Sequence, residues 1–346
     1  MAVLDRPVPA APTFTLEKIE KTAAELAPYV TRTPIVTFPG NRLEEGVGTL
    51  TVKLETLQDT GSFKFRGAIN NLLGLETPAS RRGVITVSSG NHGIAVSEAA
   101  LRFGIPATVV MGTRANRYRR ELIEARGARV ITAETVREVF NLAYTLAAEQ
   151  QLAFVHPYDS QRTILATASL GLEFIDQCLS QGVHLDALVL PIGGGGLAAG
   201  VAMAVKLRSP ETMIFGAEPA GAPTLTRALQ AEKPVWLDEI ATVADSLGAP
   251  LVGEQSFAIC RDLLSDVVLL DDQQIITAVS RIMTSFRLLV EPSAAVSTAA
   301  VLGPLQDRLK GKNVGVIFCG ANSGLPPFDS RATSTVSGHY RATLST

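Results

Sequence analysis

Short apolar runs recur along this chain with room for one helix between successive runs, and most of them stop at a glycine or a proline. "TLTVKLE", "GVITVS", "PATVVM" and "ARVITA" alternate with helical stretches that follow Gly67, follow Asn91 and fill "NRYRRELIEARG". "DALVLP", "MIFGAEP" and "NVGVIFCG" resume the rhythm further on. Such alternation predicts βα units and a mostly parallel sheet. In that architecture ligands bind beyond the C-terminal ends of the strands, so the residues just after each run are the ones to inspect for chemistry.

A length of 346 residues allows roughly two domains of ~100–200 residues, and a hydrophobic fraction of 46% is ample for their cores. The formal net charge of −2 carries no electrostatic footprint for nucleic acid or an anionic membrane, so small neutral or zwitterionic partners are expected. Cys178, Cys260 and Cys319 lack CxxC spacing, which argues against a zinc site or a disulfide framework and for a reducing cytoplasm. Asp5, Arg6, Pro7, Pro9 and Pro12 interrupt any signal-peptide core, and no apolar run reaches ~18 residues, so neither export by that route nor membrane insertion is expected. Residues 1–13 read as a loose arm and 331–346 as a flexible tail. Between them, Leu16, Ile19, Ala23, Leu26 and Val30 keep helical spacing.

Four stretches could carry chemistry. In "GSFKFRGA" Lys64 stands between Phe63 and Phe65, and strand-like alternation would send both rings to the face opposite it, leaving the amine in a pocket where desolvation lowers its pKa. "LPIGGGGLAAG" sets Gly193, Gly194, Gly195 and Gly196 between a strand and a helix, which suits either a backbone cradle for phosphate or a structural tight turn. The spacing meets neither the GxGxxG nor the P-loop pattern. "VSSGNHGIA" offers consecutive donors from Ser88, Ser89, Gly90, Asn91 and His92, either to grip a carboxylate or to cap a helix. "FCGANSG" closes the last strand with Cys319, which by itself reads as a buried thiol. His92, His156, His184 and His339 have no metal-ligand spacing, so no metal site is expected.

Taken together and in this order, the motifs resemble the fold-type II pyridoxal-phosphate enzymes, and within them the serine/threonine dehydratase and serine racemase family. The resemblance runs from about residue 15 to 327 and extends to "RTPIV", "HPYD", "AEP" and "VEPSAAV". It implies an α/β fold of the tryptophan synthase β type, two parallel-sheet α/β domains with the cofactor between them. The large domain would comprise 1–85 and 161–330, the small one 86–160, and the assembly would be a homodimer. The implied cofactor is pyridoxal 5'-phosphate. Lys64 would bond it covalently and then act as the base at the substrate α-carbon, with Phe63 near the ring and Asn91 donating to the phenolic oxygen. Gly193 to Gly196 would hold the phosphate, Cys319 would lie by the ring nitrogen, and Ser88 to His92 would grip the substrate carboxylate. The implied reaction is β-elimination from a β-hydroxy amino acid such as L-threonine or L-serine, giving a 2-oxo acid and ammonia, with the cofactor phosphate protonating the leaving hydroxyl.

Departures from the family pattern bear on the choice of reaction and substrate. Ser89 stands where racemases carry an acid/base group on the second face, so amino-acid racemisation by Lys64 and Ser89 is the alternative. A nucleotide-binding oxidoreductase or an amino-acid-binding protein built on the glycine loop is the reading outside the family. The family's metal site would use Glu218, the Ala222 carbonyl and an acid where this chain has Thr224, which argues against strong metal dependence. "ILATASLGLEF" and "GTRANRYRREL" also diverge, and Arg114, Arg117, Arg119 and Arg120 read as a solvated helix face. These changes leave room for a more specialised β-substituted substrate. The stretch after Cys319 is too short for an effector domain of ~50 residues or more.

Overall fold

The computed structural model describes residues 14–43, 46–76 and 82–323. The arm 1–13 and the tail 331–346 lie outside the described residues. The strands in chain order are β1 (Ile35–Pro39), β2 (Thr49–Leu54), β3 (Val84–Val87), β4 (Ala107–Gly112), β5 (Arg129–Ala133), β6 (Ala153–Phe154), β7 (Ala187–Pro191), β8 (Met213–Pro219), β9 (Asp266–Leu270) and β10 (Asn313–Phe318).

They form a six-stranded sheet in the order β1-β2-β10-β7-β8-β9 and a four-stranded sheet in the order β5-β4-β3-β6. Every pairing is parallel except β1 with β2. Every residue of β7 is buried, as expected of a central parallel strand covered on both faces. The helix Gly196–Arg208 that follows it is buried from Gly196 through Val205 and packs against the long helix Gln161–Ser180, so the glycine loop is anchored between two core elements.

The elements depart from the sequence expectation at three places. The helix expected after Gly67 begins at Lys64 itself and runs to Leu73. Gly61, at φ 70°, makes the left-handed turn that sets this start, so alternation does not apply and Phe65 turns into the core with Leu26, Ile69 and Val96. The N-terminal helix stops at Leu26 because Pro28 cannot continue it, and Val30 packs from the following turn. The expected domain boundary between 85 and 86 falls inside β3, so Val84 and Ile85 belong to the four-stranded sheet.

A buried charge cluster fixes the helix that carries Lys64. Arg66 donates to Glu55 through Nε (2.9 Å) and Nη2 (2.8 Å) and to Glu173 through Nη1 and Nη2 (both 3.0 Å). Lys53 reaches Glu173 and also donates to the Thr33 carbonyl (2.6 Å). Burial pushes the Glu55 carboxyl up, but the Arg66 charge and hydrogen bonds outweigh it and hold the group below its ordinary value. Arg66→Met strands two carboxylates without their shared cation and is expected to cost about 3–5 kcal/mol, read as a fall in the denaturant midpoint. A midpoint unchanged from the parent would show that Lys53 alone neutralises the pair.

Candidate active site

The turn before Lys64 is stitched to the end of β10. Phe63 N–H donates to the Cys319 carbonyl (3.0 Å), Ala321 N–H donates to the Gly61 carbonyl (2.9 Å), and Ser62 forms an antiparallel bridge with Gly320. These contacts put Lys64, Phe63 and Cys319 side by side. The Lys64 ammonium donates to the Pro157 carbonyl (2.7 Å) and lies 5.0 Å from the centre of the Phe63 ring. Burial pushes its pKa down to about 8, against opposing effects of Cys319 and Glu291.

Two imidazoles near this amine are neutral at pH 7. Burial, with the Lys64 charge, pushes His92 down to about 3 and His156 down to about 4. His156 Nδ1 accepts from the N–H groups of Tyr158 (3.3 Å) and Asp159 (2.9 Å), which assigns its proton to Nε2. His92 Nε2 pairs with the Val155 carbonyl (3.2 Å). Its ring is therefore committed to the protein interior, and its backbone N–H is the group left to face a ligand.

The glycine loop has its carbonyls occupied. Gly193 O accepts from the Thr224 hydroxyl (2.6 Å), Gly194 O from Gly253 N–H (3.1 Å), Gly195 O from Ala199 N–H (2.9 Å) and Gly196 O from the Thr167 hydroxyl (2.7 Å). The N–H groups of Gly194 to Ala198 have no protein acceptor among the described residues. A Cβ on Gly194 would lie 2.2 Å from Cγ of Tyr158, and Gly195 has φ 87°, so only glycine fits. Free N–H groups converging at a helix N-terminus make an anion site.

The turn Ser88 to His92 opens the helix Asn91–Phe103 with Gly90 as a cap that supplies no side chain. Ser88 Oγ accepts from Gly90 N–H (3.0 Å), and exposed Ser89 makes only a long contact with Gly112 N–H (3.5 Å). Asn91 donates to Glu291 Oε1 (2.7 Å) and accepts from the Asn322 amide (2.8 Å), while Asn322 N–H donates to Glu291 Oε2 (3.1 Å). Glu291 is fully buried, and burial raises its pKa.

Cys319 is buried and its thiol is pushed up by desolvation, so the group stays neutral. Glu218 accepts from Leu225 N–H (2.7 Å) and from the N–H (2.9 Å) and hydroxyl (2.7 Å) of Thr226, and its Oε1 lies 3.0 Å from Thr224 Oγ1, whose one proton goes to the Gly193 carbonyl. Its carboxylate serves as the cap of the helix Thr224–Ala231. Arg117 and Arg120 pair with Glu121 and Glu124 on the surface as expected of a solvated face, but Arg119 is buried, and the expectation for it is corrected. Glu291, Asn322, Arg119 and Tyr158 are contributors that the sequence reading did not assign. Glu291 lay within the matched "VEPSAAV", Tyr158 within "HPYD" and Asn322 within "FCGANSG", whereas nothing local set Arg119 apart from the arginines beside it.

A lowered lysine amine able to react with an aldehyde, a cradle of free N–H groups that would hold a phosphate, and a neutral thiol beside them fit pyridoxal phosphate. These features define a pyridoxal-phosphate enzyme of fold type II. The family model for "Pyridoxal-phosphate dependent enzyme" matches residues 26–320, and the chain belongs to that family, with pyridoxal 5'-phosphate as its cofactor. The phenylserine dehydratase of Ralstonia pickettii is 40% identical over 314 residues, which is 90% of this chain and 94% of the relative. Maize serine racemase superposes with a TM-score of 0.85 at 31% identity, covering 94% of this chain and 98% of that one. The T.th. threonine deaminase superposes at 0.84 with 33% identity, covering 91% of this chain and 100% of that one.

Two outcomes follow for the cofactor. Gly194→Ala, which drives a methyl into Tyr158, is expected to weaken retention of pyridoxal phosphate at least ~10-fold, measured from its visible absorbance after dialysis. Retention equal to the parent would remove the loop from the site. Capture of the aldehyde by cofactor-free protein needs the uncharged amine, so its rate should rise with pH through about 8. A midpoint near an ordinary lysine value would contradict the burial of Lys64.

Proposed function

We propose that the chain catalyses β-elimination from a β-hydroxy amino acid, releasing a 2-oxo acid and ammonia, and that a β-aryl serine of the phenylserine type is its preferred substrate over L-threonine and L-serine. The observation that carries the reaction type is a single buried amine: elimination needs an acid/base group on one face of the substrate only, and Lys64 supplies it. Roughly a tenth of an amine with a pKa near 8 is uncharged at pH 7, enough for it to accept a proton.

Bound pyridoxal phosphate supplies the electron-withdrawing ring that stabilises negative charge at the substrate α-carbon. The backbone N–H groups of Ser89, Asn91 and His92 hold the carboxylate, since those of Ser88 and Gly90 already donate to the Val110 carbonyl and to Ser88 Oγ, and the helix Asn91–Phe103 adds its dipole. Lys64 takes the α-proton. Gly193 to Gly196 would hold the phosphate, Asn91 would donate to the phenolic oxygen, and Phe63 would pack near the ring. Cys319 offers the ring nitrogen a neutral partner, which favours a reaction that discharges the carbanion quickly by losing a β-substituent.

The aryl preference is supported by the two rings that flank Pro157, His156 and Tyr158, from which a run of rings extends into the core of the four-stranded sheet. Trp236 meets Phe140 (6.3 Å between centres), Phe140 meets Tyr144 (6.2 Å), Tyr144 meets Phe154 (4.7 Å), Phe154 meets His156 (5.9 Å) and His156 meets Tyr158 (4.8 Å). Pro157, the acceptor of the Lys64 ammonium, sits between the last two. Edge and face contacts of this kind are worth about 0.5–1.5 kcal/mol each to an added ring. The 40% identity to a phenylserine dehydratase points the same way. Racemisation is the second reading, favoured by the second serine, Ser89, and by the likeness to maize serine racemase.

Phenylserine, L-threonine and L-serine, each supplied to the holoenzyme in deuterated water, separate these readings. The expected product is 2-oxo acid with kcat/KM for phenylserine at least ~10-fold above that for serine, a difference of about 1.4 kcal/mol. Ser89→Ala should leave elimination intact, and Lys64→Ala should abolish it. A predominance of α-deuterated D-isomer that Ser89→Ala removes would establish the racemase instead.

A further inference from the structure

Arg119 stands apart from the arginines beside it. Arg117 and Arg120 each pair with a glutamate one turn along, in water, whereas Arg119 is buried and crosses to the other half of the molecule. Its Nη1 and Nη2 donate to the two carboxylate oxygens of Asp245 (2.7 and 3.2 Å), and its Nε donates to the Asn322 carbonyl (2.7 Å). Nη2 also lies 3.8 Å from Glu291 Oε2. The helix Arg117–Glu124 packs on β5 and on the helix Asn91–Phe103, on the side of the four-stranded sheet. Asp245 begins the short 3-10 turn Asp245–Leu247, and a Cβ on Gly193 would lie 2.7 Å from the Leu247 carbonyl. A Cβ on Gly90 would lie 3.2 Å from Arg119 Nη1. One guanidinium therefore touches the turn assigned to the substrate carboxylate, while its partner's turn touches the glycine loop.

We infer that Arg119 is a positioning residue for amino-acid binding, a clamp that fastens the turn Ser88 to His92 to the cofactor half through Asp245, Asn322 and Glu291. The inference rests on the assignment of that turn to the substrate carboxylate. A planar fork of donors grips both Asp245 oxygens side by side while Nε reaches a third acceptor, a bidentate geometry that a point-charge ammonium does not reproduce. The Asp245 side chain is 53% exposed, so the pair lies where water reaches one partner, and opening it costs less than breaking a fully buried pair. Arg119 also bears on Glu291, the acceptor that orients Asn91. Glu291 faces Arg119, Asp245, Lys64 and Cys319, with Asn91, Asn322 and the Ser246 hydroxyl as hydrogen-bond donors. Burial raises its pKa most, the Arg119 charge lowers it, and the Asp245 charge raises it.

The sign of each effect gives a test that a merely structural role would not pass. Binding is read as the dissociation constant of the amino acid, from the change in cofactor absorbance when L-serine or phenylserine is added to the holoenzyme, as a function of pH. This readout is independent of whether the bound amino acid is eliminated or racemised, so failure of the proposed reaction and failure of the clamp are distinguishable. Arg119→Met is expected to weaken binding at least ~10-fold and to move the acid limb of the binding profile to higher pH, because Glu291 loses its cation. Arg119→Lys should fall between Met and the parent. Asp245→Asn should also weaken binding but move the acid limb to lower pH, because Glu291 loses a neighbouring negative charge. Should Arg119→Met fail to fold, the half-exposed Asp245→Asn carries the test alone. Binding and acid limb unchanged in Arg119→Met, or in Asp245→Asn where only that variant folds, would overturn the inference.

Discussion

Phe63 N–H meets the Cys319 carbonyl, Ala321 N–H meets the Gly61 carbonyl, and the rest of the site is placed by that short antiparallel stitch. It joins the first turn of the helix Lys64–Leu73 to the end of β10, the strand between β2 and β7 in the six-stranded sheet. Parallel strands leave their C-terminal ends without a hairpin to cover them, and it is there that backbone from elsewhere can dock. Once Lys64 is fixed beside Cys319, its reach decides what else must come near. Its ammonium finds the Pro157 carbonyl, and Tyr158, next in sequence, packs its ring over Gly194. The amine and the anion cradle are thus set by a single stretch of chain.

Electrostatically the site is quiet near the amine and charged at its margin. His92, His156 and Cys319 are all held neutral by burial, and Lys64 is lowered by the same cause. Formal charge is kept in Glu291, Arg119 and Asp245, which face one another. A zwitterionic substrate suits this arrangement. Its carboxylate would be met by backbone dipoles, which need no counter-ion and do not titrate, while Glu291, the acid that faces Lys64, is already engaged by Asn91 and Asn322. The buried network of Lys53, Glu55, Arg66 and Glu173 is anchored on the same helix as Lys64 through Arg66, and it holds that helix without adding net charge to the site.

Legibility in the sequence followed how local the physics is. The named strands were readable because a short apolar run ended by glycine or proline has few other uses, and the glycine loop because four consecutive glycines have almost none. Lys64 was readable as a residue but not as a conformation: the flanking phenylalanines suggested extended chain, whereas the left-handed Gly61 starts a helix at the lysine. Arg119 was misread for the opposite reason. Its neighbours in sequence are solvated arginines, and its burial is decided by Asp245 and Asn322, which only the tertiary fold brings to it. Asn91 was found as a donor, but its acceptor Glu291 and its own donor Asn322 come from distant segments, and no spacing rule connects them.

Thr224 shows how a change of residue type can be absorbed. The family pattern expects a second acid there, close to Glu218. In this chain both Glu218 oxygens are taken by donors at the start of the helix Thr224–Ala231, and the Thr224 hydroxyl reaches the Gly193 carbonyl. A threonine can make that reach because its hydroxyl donates, whereas an ionised carboxylate can only accept and would face the Gly193 carbonyl with like partial charge. The substitution therefore ties the glycine loop to the helix by a neutral hydrogen bond. The loop then keeps its N–H groups free for an anion, because each of its carbonyls already has a partner on the protein side.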